Sequence, residues 1–257
     1  MDIKTLARSL VQLTLIISLS ALSLSVSAFT HDEKSAAIAD RIVENMGGRE
    51  NYDKVRYVSW NFFGKRFHIW DKHTGDIRIE YGDDFNNLLL MNIHSKEGKL
   101  WEDGVAVTDA AKLNDKMGWG YKMWINDSYW LVMPFKLHDP GVNITYARED
   151  LSLKGKPVDV LTMTFEEVGV TPNNKYELFV DKETQLISEF AFYPTVETEE
   201  PRFRMPWTDY QTFGKVLLAD NRGNKGMAPV GVYDALGAGV MSSNTPAVDA
   251  AGNPIAR

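Results

Sequence analysis

Four histidines fall in the central part of this chain, His68, His73, His94 and His138, and they are the first place to look for chemistry. None has a partner at the i, i+4 spacing that sets two imidazoles on one helix face for a metal. His73 and His138 lie in turn-rich sequence. His68 and His94 lie in strand-like sequence, where only folding could bring an acid to them; ordinary surface or half-buried histidine is the plainer account. No Gly-x-Ser-x-Gly elbow presents a serine nucleophile. Gly118, Gly120, Gly237 and Gly239 lack the strand-to-helix context of a phosphate loop. Glu166-Glu167 and Glu197, Glu199 and Glu200 are acidic clusters that could hold a cation or work as acid and base, or simply be solvated loop charge. Asn126-Asp127-Ser128 and Asn143-Ile144-Thr145 fit the glycosylation pattern, which matters only in a eukaryotic secretory route. The chain has no cysteine, which removes disulfides, thiolate metal sites and a Cys nucleophile. No catalytic residue, metal ligand or cofactor is therefore expected. An enzyme would need carboxylates and histidines assembled by folding.

What remains is a set of large apolar side chains at strand spacing. Trp60 and Phe62 share a face with Val58, and Trp70, Leu88, Leu90 and Trp101 follow on later strands. Leu161, Met163 and Phe165 alternate along another strand, followed by Phe179, Phe190 and Phe192. Two readings stand side by side. These residues fill a core beneath helices, or a strongly curved sheet leaves a hollow that they line. Met91, Met123, Met133 and Met163 would make such a hollow adaptable. Trp119, Trp124 and Trp130 lie in the helical stretch 108–130, the candidate lid, so Trp124 and Trp130 join the expected lining.

The elements that position these residues follow from periodicity. Ala39, Ile42, Val43 and Met46 make one apolar stripe of a helix, capped by Asp32 or Ser35 and ended by Gly47-Gly48. A turn around Tyr52 and Val55 leads into period-two sequence. Strands are expected from Tyr57 and at 66–71, 77–81, 88–94 and 100–102, with a short return at 105–107. The stretch 108–130 reads as two helical pieces, stopped by Pro134 and the turn His138-Asp139-Pro140-Gly141. Strands resume at 143–148, 158–166, 175–181 and 186–193, with a last pair within 207–220. Apolar on one face and mixed on the other, they predict an α+β fold, mainly antiparallel β, covered on one side. Asp71-Lys72-His73-Thr74-Gly75 and Asp181-Lys182-Glu183-Thr184-Gln185 read as one hairpin corner written twice, equivalent corners of one sheet.

The amino terminus reads as a cleavable secretory signal over residues 1–28. Lys4 and Arg8 precede an apolar run at 10–26 diluted by serines, and Val26-Ser27-Ala28 supplies the small residues before Phe29. The run falls short of the roughly 20 residues of a spanning helix, so no stable membrane anchor is expected after cleavage. The expected location is periplasmic or secreted. Residues 29–220 form the expected domain. Residues 221–257, rich in Gly, Ala, Ser, Asn and Pro, read as a mostly disordered tail with a short ordered piece near 230–236. A net charge of −7 argues against nucleic acid as a partner.

The order of elements carries a resemblance. A helix ending in Asn45-Met46-Gly47-Gly48, then Tyr52, Val55 and an aromatic strand, resembles the LolA/LolB lipoprotein-localisation superfamily of bacterial periplasmic proteins, above all its uncharacterised members. So do Tyr129-Trp130-Leu131-Val132-Met133-Pro134-Phe135-Lys136-Leu137, the following Asp139-Pro140-Gly141-Val142, and Val180-Asp181-Lys182-Glu183-Thr184 after Tyr176. The resemblance covers about 38–218. It implies an incomplete antiparallel β-barrel whose concave face is covered by helices, with a hydrophobic cavity for acyl chains. The function it implies is a soluble exported binding protein for a lipid or other apolar ligand, in lipid or lipoprotein trafficking. The alternative is an envelope protein-interaction or structural module with a filled core and no small ligand.

Overall fold

The computed structural model describes residues 32–257; the expected signal segment lies outside the described residues. Helix α1, Glu33–Asn45, starts where Asp32 Oδ1 accepts the Ser35 amide at 2.9 Å, and its stripe of Ile38, Ala39, Ile42 and Val43 is buried. At its end Gly47 has a φ of +104°, and a Cβ there would stand 1.9 Å from the Lys215 carbonyl oxygen. Only glycine meets both conditions. Helix α2, Arg49–Lys54, then leads into a meander: β1 Tyr57–Phe62, β2 Arg66–Asp71, β3 Asp76–Tyr81, β4 Asn87–Asn92, β5 Gly98–Glu102 and β6 Val105–Ala106. Helix α3, Ala110–Val132, crosses to a second meander of β7 Val142–Leu151, β8 Pro157–Phe165, β9 Lys175–Asp181, β10 Ile187–Tyr193 and β11 Phe203–Pro206. The hairpin β12 Thr208–Phe213 and β13 Val216–Asn221 follows, and β14 Gly231–Tyr233 returns to pair with β1.

The fold is mainly antiparallel β with helices, as the alternation predicts. The strands divide among three open sheets: seven strands in the order β14-β1-β2-β3-β4-β5-β6, five in the order β11-β10-β9-β8-β7, and the pair β12-β13. One shared core joins them, with α1 (Ile42), β1 (Trp60), α3 (Leu131), β8 (Met163), β10 (Phe190) and β13 (Leu218) all buried in it.

Residues directly opposite in an antiparallel ladder share a face, so register sorts the seven-stranded sheet. Trp60, His68, Ile79, Leu89 and Leu100 line up on one face, beside Val58, Trp70, Ile77 and Met91. This face meets α3. Phe67, Glu80, Leu88 and Trp101 line up on the other, beside Ile69, Arg78 and Leu90.

That second face is covered by the carboxy-terminal segment, which corrects the expectation of a mostly disordered tail. Val240, Ala247 and Ile255 are buried against Phe67 and Ile69. Arg78 donates to the Val240 and Thr245 carbonyls, each at 2.9 Å, and Lys99 to the Ser242 carbonyl at 3.0 Å. Bridges pair Leu236 with Asp249 and Val248 with Pro254. The segment shows no period because it fills the sheet surface one apolar residue at a time while side chains of the sheet satisfy its backbone.

Two further expectations change. The stretch expected as two helical pieces is one helix, capped by Asp109, whose Oδ1 accepts the Lys112 amide at 2.7 Å. It runs through Gly118 and Gly120, and a Cβ on Gly120 would stand 2.1 Å from Leu89 Cδ2, so glycine lets α3 lie against β4. The two matching corners are real but belong to different sheets. Asp71 Oδ1 accepts the amides of His73 and Thr74 at 3.0 and 3.3 Å, and Asp181 Oδ1 those of Glu183 and Thr184 at 2.9 Å each. Asn92 makes a third such corner with His94 and Ser95, at 2.9 and 3.3 Å.

Candidate functional site, an apolar cleft beside helix α3

The carboxy-terminal half of α3 lies between the two large sheets and does not fill the space there. Ile125, Ser128, Tyr129 and Val132 recur at helical spacing on one side of it. With Trp124 they form one wall of a cavity of about 370 Å³, whose other walls are Trp70 of β2, Val142 of β7, Phe165 at the end of β8, and Val168 and Gly169 beyond it. Trp70 and Trp124 meet edge to face, with ring centroids 5.3 Å apart. Polar groups stand at one end: Lys136 pairs with Asp139, which also faces Arg49 Nη1 at 3.6 Å. A Pro134-containing turn, Met133–Lys136, ends α3 and brings Lys136 to this end.

Two smaller spaces continue past Tyr129. One, of about 70 Å³, lies among Ile125, Trp130, Phe165, Val170 and Tyr176. The other, of about 20 Å³, reaches Met133, Met163, Phe190 and Trp207. Tyr129 borders all three, and its hydroxyl donates to Met163 Sδ at 3.4 Å. Burial holds its phenol well above the ordinary tyrosine pKa, so the ring is a neutral divider.

The aromatic residues expected to line a cavity are distributed as follows. Trp70, Trp124 and Phe165 line the larger space. Trp130, Met163 and Phe190 line the smaller ones. Trp60, Phe62 and Leu161 are buried in the shared core, and Phe192 packs on Tyr176 and Phe203 with centroids 5.4 and 5.2 Å apart. Leu88, Leu90 and Trp101 lie on the opposite face of their sheet, the one that carries the carboxy-terminal cover. Phe179 lies on the outer face of the five-stranded sheet, under the Arg204 guanidinium at 3.6 Å. Alternation could not place Leu88 and Leu90, because the run Leu88-Leu89-Leu90-Met91 is apolar on both faces. Tyr129, Val132, Val142 and Val168 were missed as lining. For Tyr129 and Val132 the helical spacing from Ile125 was an available signal.

Behind the cleft, α3 is tied to the sheet by a buried polar group. Asp127 accepts from Arg66 twice, at 2.6 Å from Nε and 2.9 Å from Nη2, and lies 2.8 Å from His68 Nε2. Asp127 and His68 are both fully buried, and Trp60 stacks on the imidazole at 4.5 Å between centroids. Burial pushes the His68 pKa down, outweighing the pull of Asp127. Burial alone would raise Asp127, but its bonds to His68 and Arg66 hold it below the usual carboxylate range. This is a neutral imidazole beside an ionised carboxylate, in no open cleft. His138 instead faces Asp40 at 3.0 Å, and among the described residues no three metal-ligating side chains gather.

Residues 89–233, more than half the chain, match a family of unknown function, DUF6503. The chain belongs to DUF6503. The matched region holds α3, the five-stranded sheet and β14, and hence every wall of the larger cavity except Trp70. It stops before the carboxy-terminal cover of this DUF6503 chain. No curated protein matches it. Among solved structures, it is similar to a DUF1329 family protein from Desulfovibrio piger, at 12% identity and a TM-score of 0.40, covering 80% of this chain and 96% of that one. It is also similar to MucB, at 13% identity and a TM-score of 0.26, covering 74% and 67%. MucB in complex with MucA(peri) gives 12% identity and a TM-score of 0.24, covering 84% and 61%.

Proposed function

We propose that this DUF6503 chain is an exported binding protein for a lipid or another elongated apolar ligand, held beside α3. The observation that carries this reading is the cavity of about 370 Å³ walled by Trp70, Trp124, Tyr129, Val132 and Phe165, with its charges confined to one end. Its size lies within the range of small-molecule sites, and such sites are mostly apolar with few polar groups. Burying an acyl chain gains about 0.8 kcal/mol per methylene, so few polar contacts are needed. In this reading the two open sheets and α3 together do the work of a helix-covered incomplete barrel. The sequence resemblance and the expected signal segment support the same reading, including a role in lipid or lipoprotein trafficking.

The test is native mass spectrometry of the protein purified from the compartment it is exported to, joined to titration with a fluorescent fatty-acid analogue. A bound mass that organic solvent extracts, with saturable fluorescence enhancement, is the expected result. An unliganded mass with no fluorescence response sinks the reading.

A second reading, a protein-interaction module, is favoured by a different surface. A groove of about 480 Å³ runs past Leu153, Leu186, Ile187, Pro206, Trp207 and Tyr210, and Leu151 and Leu153 beside it are 56% and 62% exposed. Exposed apolar patches of this kind mark contact surfaces. Leu153→Asp separates the two readings, since it damages this surface and leaves the cavity walls intact.

A further inference from the structure

We propose that Arg66, Asp127 and His68 form an acid-released latch that sets how closely α3, one wall of the cavity, is held to the seven-stranded sheet. This rests on reading that cavity as a binding site, and adds how access to it is regulated.

The geometry fixes where one ring proton sits. An ionised carboxylate only accepts, so at 2.8 Å from Asp127 Oδ2 the proton of His68 is on Nε2. In the neutral imidazole, which burial favours, Nδ1 is a bare acceptor, itself buried and without a hydrogen-bond partner. The charged and titratable groups facing the imidazole are Arg66 on its own strand and Asp127 on α3, with Tyr81 across from Arg66 on β3. β1 presents the Trp60 ring and β3 presents Ile79. Asn126 Nδ2 adds a bond to Asp127 Oδ1 at 2.8 Å. Asp127 thus balances the charge of Arg66, whose side chain is 16% exposed, and the site around the fully buried His68 and Asp127 is neutral overall.

Protonating His68 changes this in two ways. It places a second positive charge beside Arg66 with one carboxylate between them. It also turns Nδ1 into a donor that nothing nearby accepts. Buried charge without a partner and a buried unsatisfied donor are both costly. The cost is relieved by moving Asp127 and its helix away from β2 and letting water in. Asp127 sits on the helical turn between Trp124 and Tyr129, which line the cavity, so parting at the latch moves a cavity wall. His68 in the fold binds its proton less readily than an exposed histidine, so the closed form is favoured at neutral pH and loses ground as pH falls below about 6.5.

Hydrogen–deuterium exchange of the full chain, corrected for the intrinsic pH dependence of exchange, reads this without any ligand. Between about pH 7.5 and about pH 5, protection of α3 should fall roughly tenfold or more while β8, β9 and β10 keep theirs. His68→Gln retains a neutral donor and should make α3 protection independent of pH. In the wild-type chain, nitrogen-15 NMR of the histidine ring should give the Nε2–H tautomer at neutral pH, a readout that stands if the variant does not fold. Three results would overturn the latch: α3 protection flat with pH in the wild type, loss shared equally by the five-stranded sheet, or an Nδ1–H tautomer. Failure of the fatty-acid analogue to bind would count against the cavity reading alone and leave these measurements unaffected.

Discussion

Arg257 Nε lies 2.5 Å from Glu80 Oε2, while Arg78 Nε lies 2.6 Å from Glu80 Oε1, so one buried carboxylate on β3 is held between two guanidinia. One arginine belongs to the sheet and the other to the segment that covers it. Arg78 also holds that segment through the Val240 and Thr245 carbonyls.

Glu80→Ala removes the shared partner and leaves the Arg78 charge buried. Losing one member of a buried pair costs about 3–5 kcal/mol. Urea unfolding should show a midpoint lowered accordingly, and the variant should bind an apolar surface dye through newly exposed Phe67 and Ile69. An unchanged midpoint would mean that the Glu80 pairing with Arg78 and Arg257 contributes nothing to stability.

Gly120→Ala places a methyl where Leu89 Cδ2 already stands, 2.1 Å from the new Cβ. Overpacking of this kind costs about 1–3 kcal/mol. Thermal unfolding should register it, and Leu89→Val in the same chain should recover part of the loss, because the two sites are in contact. Simple additivity of the two changes would contradict the close approach of α3 to β4.

Lys72 should titrate far below other lysines. Burial pulls its pKa to about 8, with its ammonium donating to the carbonyls of Tyr52 and Val55 and lying over the Tyr52 ring. The folded pKa is depressed, so between about 8 and 10.5 the unfolded chain holds the extra proton, and this group makes stability rise with pH. Tyr52 and Tyr210, raised by burial, pull the other way above about pH 10. Carbon-13 NMR of reductively methylated protein should show one resonance with a midpoint near 8 that disappears in Lys72→Met. Finding every lysine in the ordinary range would refute it.

Val168→Trp should occupy the larger cavity from its loop side and weaken the fatty-acid analogue by roughly tenfold or more, with stability changed by less than about 1 kcal/mol. Leu90→Ala, on the opposite face of the seven-stranded sheet, should cost about 2–5 kcal/mol of stability and leave affinity unchanged. Fluorescence titration and urea unfolding of both variants decide this. Equal losses of affinity in the two would mean that binding tracks general stability and not the cleft.

Much of the secondary structure was legible because its causes are local. The Ile38–Ile42 stripe with Asp32 as cap, the period-two strands, and the Asp71 and Asp181 corners each depend on residues a few positions apart. The cavity was half legible. Trp70, Trp124 and Phe165 stand out by size and spacing, whereas Leu90 and Phe179 look the same in the sequence and lie on the opposite faces of their sheets. In an all-apolar run the two sheet faces look alike, and a one-residue slip exchanges them.

Sequence alone therefore determined the kinds of element, their order, the absence of cysteine chemistry and the apolar character of the strand faces, since these depend on residue type and near neighbours. Tertiary structure decided that the strands divide among three sheets, that Val240, Ala247 and Ile255 cover Phe67 and Ile69, and that Asp127 meets His68 and Arg66. Each of these joins residues far apart in the chain, where pairing is chosen by shape, register and the need to satisfy every buried polar group at once, and no local pattern records that choice.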